Sequence, residues 1–112
     1  MNWQISFYNE KVEAQTMQFP AGILANFIHI ADMIQSLGPN LGKPYTAPLG
    51  DGLFEIRARG KEGIGRSVYC MMKGQEIIIL DSFIKKTQKT PKKHLELARK
   101  RMKEVKNDPT NI

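Results

Sequence analysis

The sequence predicts an α+β domain in which helices cover one face of a small antiparallel sheet, and it leaves room in 112 residues for one such domain spanning 1–112. Three observations carry that reading. The opening stretch alternates like a strand, two long stretches carry apolar residues at helical spacing, and between them lie three strand-like stretches joined by glycine turns.

Trp3 to Tyr8 alternates apolar and polar side chains before a charged break, which predicts the first strand. From Ala21, just after Pro20, the positions Ile23, Leu24, Phe27, Ile28, Ala31, Ile34 and Leu37 repeat with helical period. That helix is expected to stop at Gly38-Pro39, since proline cannot continue it. A breaker-rich loop is expected from Pro39 to Gly52, ordered only where Leu41, Tyr45 or Leu49 docks on the core.

Leu53 to Arg59 alternates again, with Leu53, Glu55, Arg57 and Arg59 on one face and Phe54, Ile56 and Ala58 on the other. Gly60 to Gly65 reads as a hairpin connection, Arg66 to Met72 as the next strand, and Gln75 to Leu80 as a central strand buried on both faces. After Thr90-Pro91, a cap followed by a first-turn proline, the residues Pro91, Leu95, Ala98, Met102 and Val105 draw one apolar stripe on an otherwise cationic helix.

Charge is unevenly divided. The first 52 residues hold two lysines against four carboxylates, whereas the remainder hold fifteen Lys and Arg against seven, ten of them between Lys85 and Lys106. Such a concentration suits a polyanion or an acidic partner, although a solvated helix face would look the same. The lone Cys70 excludes a disulfide framework and reads as core filler in a strand. His29 and His94 have no partner spacing and are expected on the surface, so neither a metal nor another cofactor is expected. With no long apolar run and no leader-like opening, a cytoplasmic protein without membrane contact is expected.

Chemistry concentrates around the glycine hairpin. Arg66 opens the strand antiparallel to the one that ends at Arg59, so Arg57, Arg59 and Arg66 cluster at a cost of several tenths of a kcal/mol unless an anion is present. Three guanidiniums can clamp a phosphate, or Arg57 and Arg59 can pair with Glu55 and Glu62 on an exposed sheet face. As a residue at the mouth of a strand, Arg66 is expected to tolerate truncation without loss of folding. The segment from Asp81 to Pro91 reads as a cationic stretch leaving the buried strand. There Phe83 can serve as core or as a stacking platform for a base, with Lys85, Lys86 and Lys89, then Lys92 and Lys93, meeting phosphates.

The residues Leu37-Gly38-Pro39-Asn40-Leu41-Gly42-Lys43-Pro44-Tyr45, the strand Phe54-Glu55-Ile56-Arg57 and the run from Phe83-Ile84-Lys85-Lys86 to Thr87-Gln88-Lys89-Thr90-Pro91 resemble the phage-derived, HigB-like branch of the RelE/ParE toxin superfamily. The resemblance spans essentially the whole chain. It implies a RelE-like microbial RNase fold and a toxin of a type II toxin–antitoxin pair, a metal-independent endoribonuclease that cleaves messenger RNA on the ribosome. Its implied partners are the ribosome, mRNA and a cognate antitoxin of the helix-turn-helix, HigA-like kind. By position Arg57 resembles the second basic residue of the family's central strand, Arg66 the arginine opening the next strand, and Lys85 the basic residue after the last strand. Glu55 stands where members carry lysine or glutamate, and Asp81 stands where a histidine is expected.

RNA scission by its own 2′-hydroxyl needs a base, an acid and cations around the phosphorane. Arginine remains protonated, so Glu55 is a candidate base, and Lys85 or Lys86 a candidate acid or base. Two further classes fit the same charge, a ParE-like gyrase inhibitor and a non-enzymatic basic module that binds RNA or a partner.

Overall fold

The computed structural model describes residues 2–85 and 89–107. Its elements are β1 (Gln4–Phe7), α1 (Glu10–Met17), α2 (Ala21–Leu37), β2 (Thr46–Gly50), β3 (Leu53–Gly60), β4 (Gly63–Met72), β5 (Glu76–Lys85) and α3 (Lys92–Lys106). The strands form one sheet in the order β1-β5-β4-β3-β2.

The α+β class and the three-stranded meander stand as the sequence predicts, with two corrections to the architecture. The sheet is mixed, because β1 pairs parallel to β5 while every other pair is antiparallel. Parallel pairing needs a long crossover, and the chain between β1 and β5 supplies it; no local pattern in either strand records that distant direction. The helices also lie on both faces. Helices α1 and α2 bury Val12, Ile23, Phe27, Ile30 and Ile34 against Ile56, Tyr69, Ile77 and Ile79. Helix α3 packs Ala98, Met102 and Val105 against Leu53, Val68, Cys70, Ile78 and Leu80, the residues that alternate with the first set. A strand buried on both faces, as Ile77 to Leu80 is, requires cover on each side.

Two elements escape the sequence patterns. Helix α1 is capped by the Asn9 side chain, which accepts from the Val12 amide at 2.8 Å, but it buries only Val12 and Thr16, too few positions to display a period. Strand β2 lies inside the breaker-rich loop and pairs with β3 at the sheet edge, where Pro48 is tolerated.

The hairpin between β3 and β4 is tighter than expected, since pairing runs to Gly60 and Gly63. Its tip docks on the start of α2, which lacks a side-chain cap of its own. Glu62 accepts the Gly22 amide at 3.0 Å, and that hydrogen bond holds its carboxyl below the ordinary range. Gly60 is required by this approach, because a Cβ there would sit 2.6 Å from the backbone of Gly22 and Ile23.

Strand β5 continues to Lys85, so Asp81 to Lys85 belong to the sheet and do not form a segment leaving it. Opposite Val68 and Tyr69 the register shifts by one residue, pairing Val68 with Asp81 and Tyr69 with Ile79. This bulge changes the phase of the strand. Asp81, Phe83 and Lys85 therefore join the face of Ile78 and Leu80, next to helix α3.

Candidate active site

The α3 side of the sheet is only partly covered. Beyond the N-terminal end of the helix, the face continues through Glu55, Arg57 and Arg59 on β3, Arg66 on β4, and Phe83 and Lys85 on β5. Arg57 and Arg66 are register partners, as are Arg66 and Phe83, while Arg59 and Lys85 both lie opposite Ile64. Antiparallel pairing thus brings the four residues with implied catalytic roles, Glu55, Arg57, Arg66 and Lys85, to one end of one sheet face.

An open cleft of about 530 Å³ is lined there by Glu55, Arg57 and Arg66, with Lys43, Lys89, Thr90 and Leu95 around them. Its floor is a buried ion pair. The Arg66 Nη1 donates to Glu55 Oε1, and both side chains are almost fully enclosed, at 3% and 4% exposure. Thr90 Oγ1 donates to the other Glu55 oxygen at 3.2 Å. The hydroxyl read from sequence as the cap of α3 is therefore spent on Glu55, and Pro91 occupies the cap position without a side-chain hydrogen bond.

The expectation that Arg66 is an exposed strand end is corrected by its 3% exposure. Its Nε and Nη2, and the Nε of Arg57, are buried without a hydrogen-bond partner among the described residues. Guanidinium donors buried without a partner are costly. The Lys85 ammonium holds its proton less tightly than an ordinary lysine, first because of burial and then because of the guanidiniums of Arg66 and Arg57.

His94 is not an unattached surface residue. Its Nδ1 lies 2.6 Å from Asp81 Oδ2, and its ring stacks on Phe83 with centroids 3.8 Å apart and planes 14° from parallel. Phe83 is thus half-buried, packed on the α3 core, with one ring face taken by the imidazole. Lys43 lines the cleft without a role given from the sequence, because its position before an unrecognised strand carried no signal, and Thr90 was read only as a helix cap.

Of the expected RNA contacts, Arg59, Lys89, Lys92 and Lys93 are exposed on this side or along α3, and Lys92 lies 3.8 Å from Glu96. Lys86 falls outside the described residues. Among those described, no group of three His, Cys, Asp or Glu side chains comes together to hold a metal, and no helix is long and apolar enough to cross a membrane.

Residues 15–103 match the profile of the family described as phage-derived protein Gp49-like. The chain belongs to the phage-derived Gp49-like family. This is a family of the RelE/HigB toxin type, and the fold of this member is RelE-like. A chain of the archaeal RelE–RelB complex from Pyrococcus horikoshii OT3 superposes with a TM-score of 0.55 at 21% identity, over 75% of this chain and 96% of that one. No curated protein is matched by sequence. Within the Gp49-like match lie β2 to β5 and most of α3, hence every residue of the cleft.

Proposed function

We propose that this Gp49-like protein, acting as one toxin domain over 1–112, is a ribosome-dependent mRNA endoribonuclease of a type II toxin–antitoxin pair. The observation that supports this reading is the pair of guanidinium side chains, half-buried Arg57 and buried Arg66, that line an open cationic cleft on a RelE-like sheet. Such donors match the non-bridging oxygens of a phosphodiester, and they are already oriented before substrate arrives.

In this reading Arg57 and Arg66 stabilise the charge that develops on the phosphorane, and Glu55 orients Arg66 through their ion pair. Lys85, with its weakened hold on a proton, donates to the departing 5′-oxygen. The nucleophile is the substrate's own 2′-hydroxyl and the guanidiniums supply the positive charge, so the reaction is proposed to run without a metal. Arg59, Lys89, Lys92 and Lys93 extend the surface toward flanking RNA and Lys86, outside the described residues, is proposed as a further contact, whereas one face of the Phe83 ring is taken up by His94. The partners proposed are mRNA on the ribosome and a cognate antitoxin of HigA-like, helix-turn-helix type, and the site of action is the cytoplasm.

Mapping new 5′ ends in transcripts after brief induction tests this, with Arg57→Ala as the control because Arg57 is less buried than Arg66. Cleavage that disappears with Arg57→Ala supports the reading. Intact transcripts with DNA supercoiling impaired would favour the gyrase inhibitor, and salt-sensitive RNA binding without scission would favour a binding module.

A further inference from the structure

The Asp81–His94–Phe83 cluster is more elaborate than core packing requires. Asp81 and Phe83 are two residues apart on β5 and so share a face, which the bulge turns toward α3, and both hold one ring carried by the first turn of that helix. The carboxylate is 5% exposed and the imidazole 22%, so the ring is held against a buried acceptor while part of it meets solvent.

We infer that His94 is a catalytic base of this site, taking the proton of the attacking 2′-hydroxyl at Nε2 while Asp81 and Phe83 fix its tautomer and plane. The inference rests on the endoribonuclease reading above. Asp81 is a buried acceptor, so Nδ1 carries the proton it donates to Oδ2, and the lone pair of the neutral ring is left on Nε2. The same division of roles between an orienting carboxylate and a proton-accepting imidazole operates in acyl-transfer triads.

Placement supports the assignment. Phe83 is the register partner of Arg66, so the ring stacked on it lies beside the strand position of the phosphate-facing guanidinium. Thr90, four residues before His94, ties the same segment to Glu55. The other groups of the site are poorly suited to accept a proton: arginines stay protonated, and both Glu55 oxygens already accept hydrogen bonds. In the step itself the 2′-oxygen bonds to phosphorus as its proton passes to Nε2. The bond from phosphorus to the 5′-oxygen breaks as that oxygen takes a proton from Lys85, leaving a 2′,3′-cyclic phosphate and a free 5′-hydroxyl.

The charged groups on the imidazole's side of the sheet include Asp81 and Lys85 on β5, Arg66 on β4, and Glu55, Arg57 and Arg59 on β3, with Lys93 adjacent on α3. Single-turnover cleavage on mRNA-programmed ribosomes, measured from pH 5.5 to 8, tests the role. The parent rate is expected to rise from the acid end as the base loses its proton, and then to level. His94→Ala is expected to lose about 100-fold or more and the acid limb with it, and added imidazole to restore part of the rate. Asp81→Asn is expected to slow cleavage, because the amide no longer fixes the tautomer of the ring.

His94→Ala that cleaves like the parent with the same acid limb would overturn the inference, as would His94→Gln with full activity. Nitrogen chemical shifts of the parent ring give a second measurement that needs no variant: a neutral ring protonated at Nδ1 is expected, and one protonated only at Nε2 overturns the assignment. A parent that cuts no RNA removes the endoribonuclease reading and this inference together. A parent that cuts, with Arg57→Ala inactive and His94→Ala normal, removes this inference alone. His29→Ala, on exposed helix surface, is the control expected to change nothing.

Discussion

Glu55 and Arg66 form a buried ion pair across the diagonal of the β3–β4 ladder, where Arg66 faces Arg57 and Glu55 faces Val68. Removing one partner strands the other charge in a desolvated place. Glu55→Ala and Arg66→Ala are therefore each expected to lower unfolding free energy by about 3–5 kcal/mol. The double change Glu55→Met with Arg66→Leu is expected to recover most of that loss, although the cleft is then inert. Urea unfolding of the four proteins compares them, and two single variants as stable as the parent would show that neither charge depends on the other.

Arg57 gives a cleaner separation of activity from stability. It is only half-buried and has no ion pair with Glu55, so Arg57→Ala is expected to change stability by no more than about 1 kcal/mol. Cleavage is expected to fall about 100-fold or more, the usual loss when one preorganised donor to developing charge is removed. Rates near the parent's would take Arg57 out of the site.

The outer face of α3 steers rather than packs. Lys92, Lys93, Lys100 and Lys103 are all exposed, and the 3.8 Å Lys92–Glu96 contact lies in water. Changing the four to glutamine is expected to leave the thermal midpoint nearly unchanged, since such a pair is worth about 0.3–0.5 kcal/mol. Association with ribosomes is expected to slow and to lose much of its salt dependence, because charge acts over a Debye length of about 8 Å at physiological ionic strength. Unaltered association kinetics would make this face solvated surface only.

Alkaline pH is expected to unfold the protein through two buried acids. Burial pushes the Cys70 thiol from 9.0 up to about 11 and the Tyr69 phenol from 10.0 up to about 12. Both groups bind their protons more tightly when folded, so their contribution is complete below pH 9 and is lost as pH rises toward 12. Midpoints measured along that range are expected to fall steeply. Cys70→Ala is expected to flatten the lower part of the fall and Tyr69→Phe the upper part.

The hairpin tip tests the packing of β3 and β4 on α2. Gly60→Ala places a methyl 2.6 Å from the Gly22 and Ile23 backbone, which cannot move without shifting the helix start. A loss of about 1–3 kcal/mol is expected by denaturant unfolding. A neutral result would mean that the hairpin and helix separate easily.

What the amino-acid order determined by itself was whatever one segment records in its own periodicity. The stripe from Ile23 to Leu37, the alternation from Leu53 to Arg59 and the apolar run at Ile77 announced α2, β3 and the middle of β5. Because a hairpin brings neighbours in sequence together, the proximity of Arg57 and Arg66 was legible as well. The tertiary structure decided the rest. It set the direction of β1, the face on which α3 lies, the burial of Arg66 against Glu55, and the meeting of His94 with Asp81 and Phe83. Each of these depends on a relation between separate elements, and the last depends on a one-residue bulge that changes which side chains of β5 face the helix. A side-chain period of two turns a single inserted residue into a change of face, and the composition of the strand carries no mark of where that insertion falls.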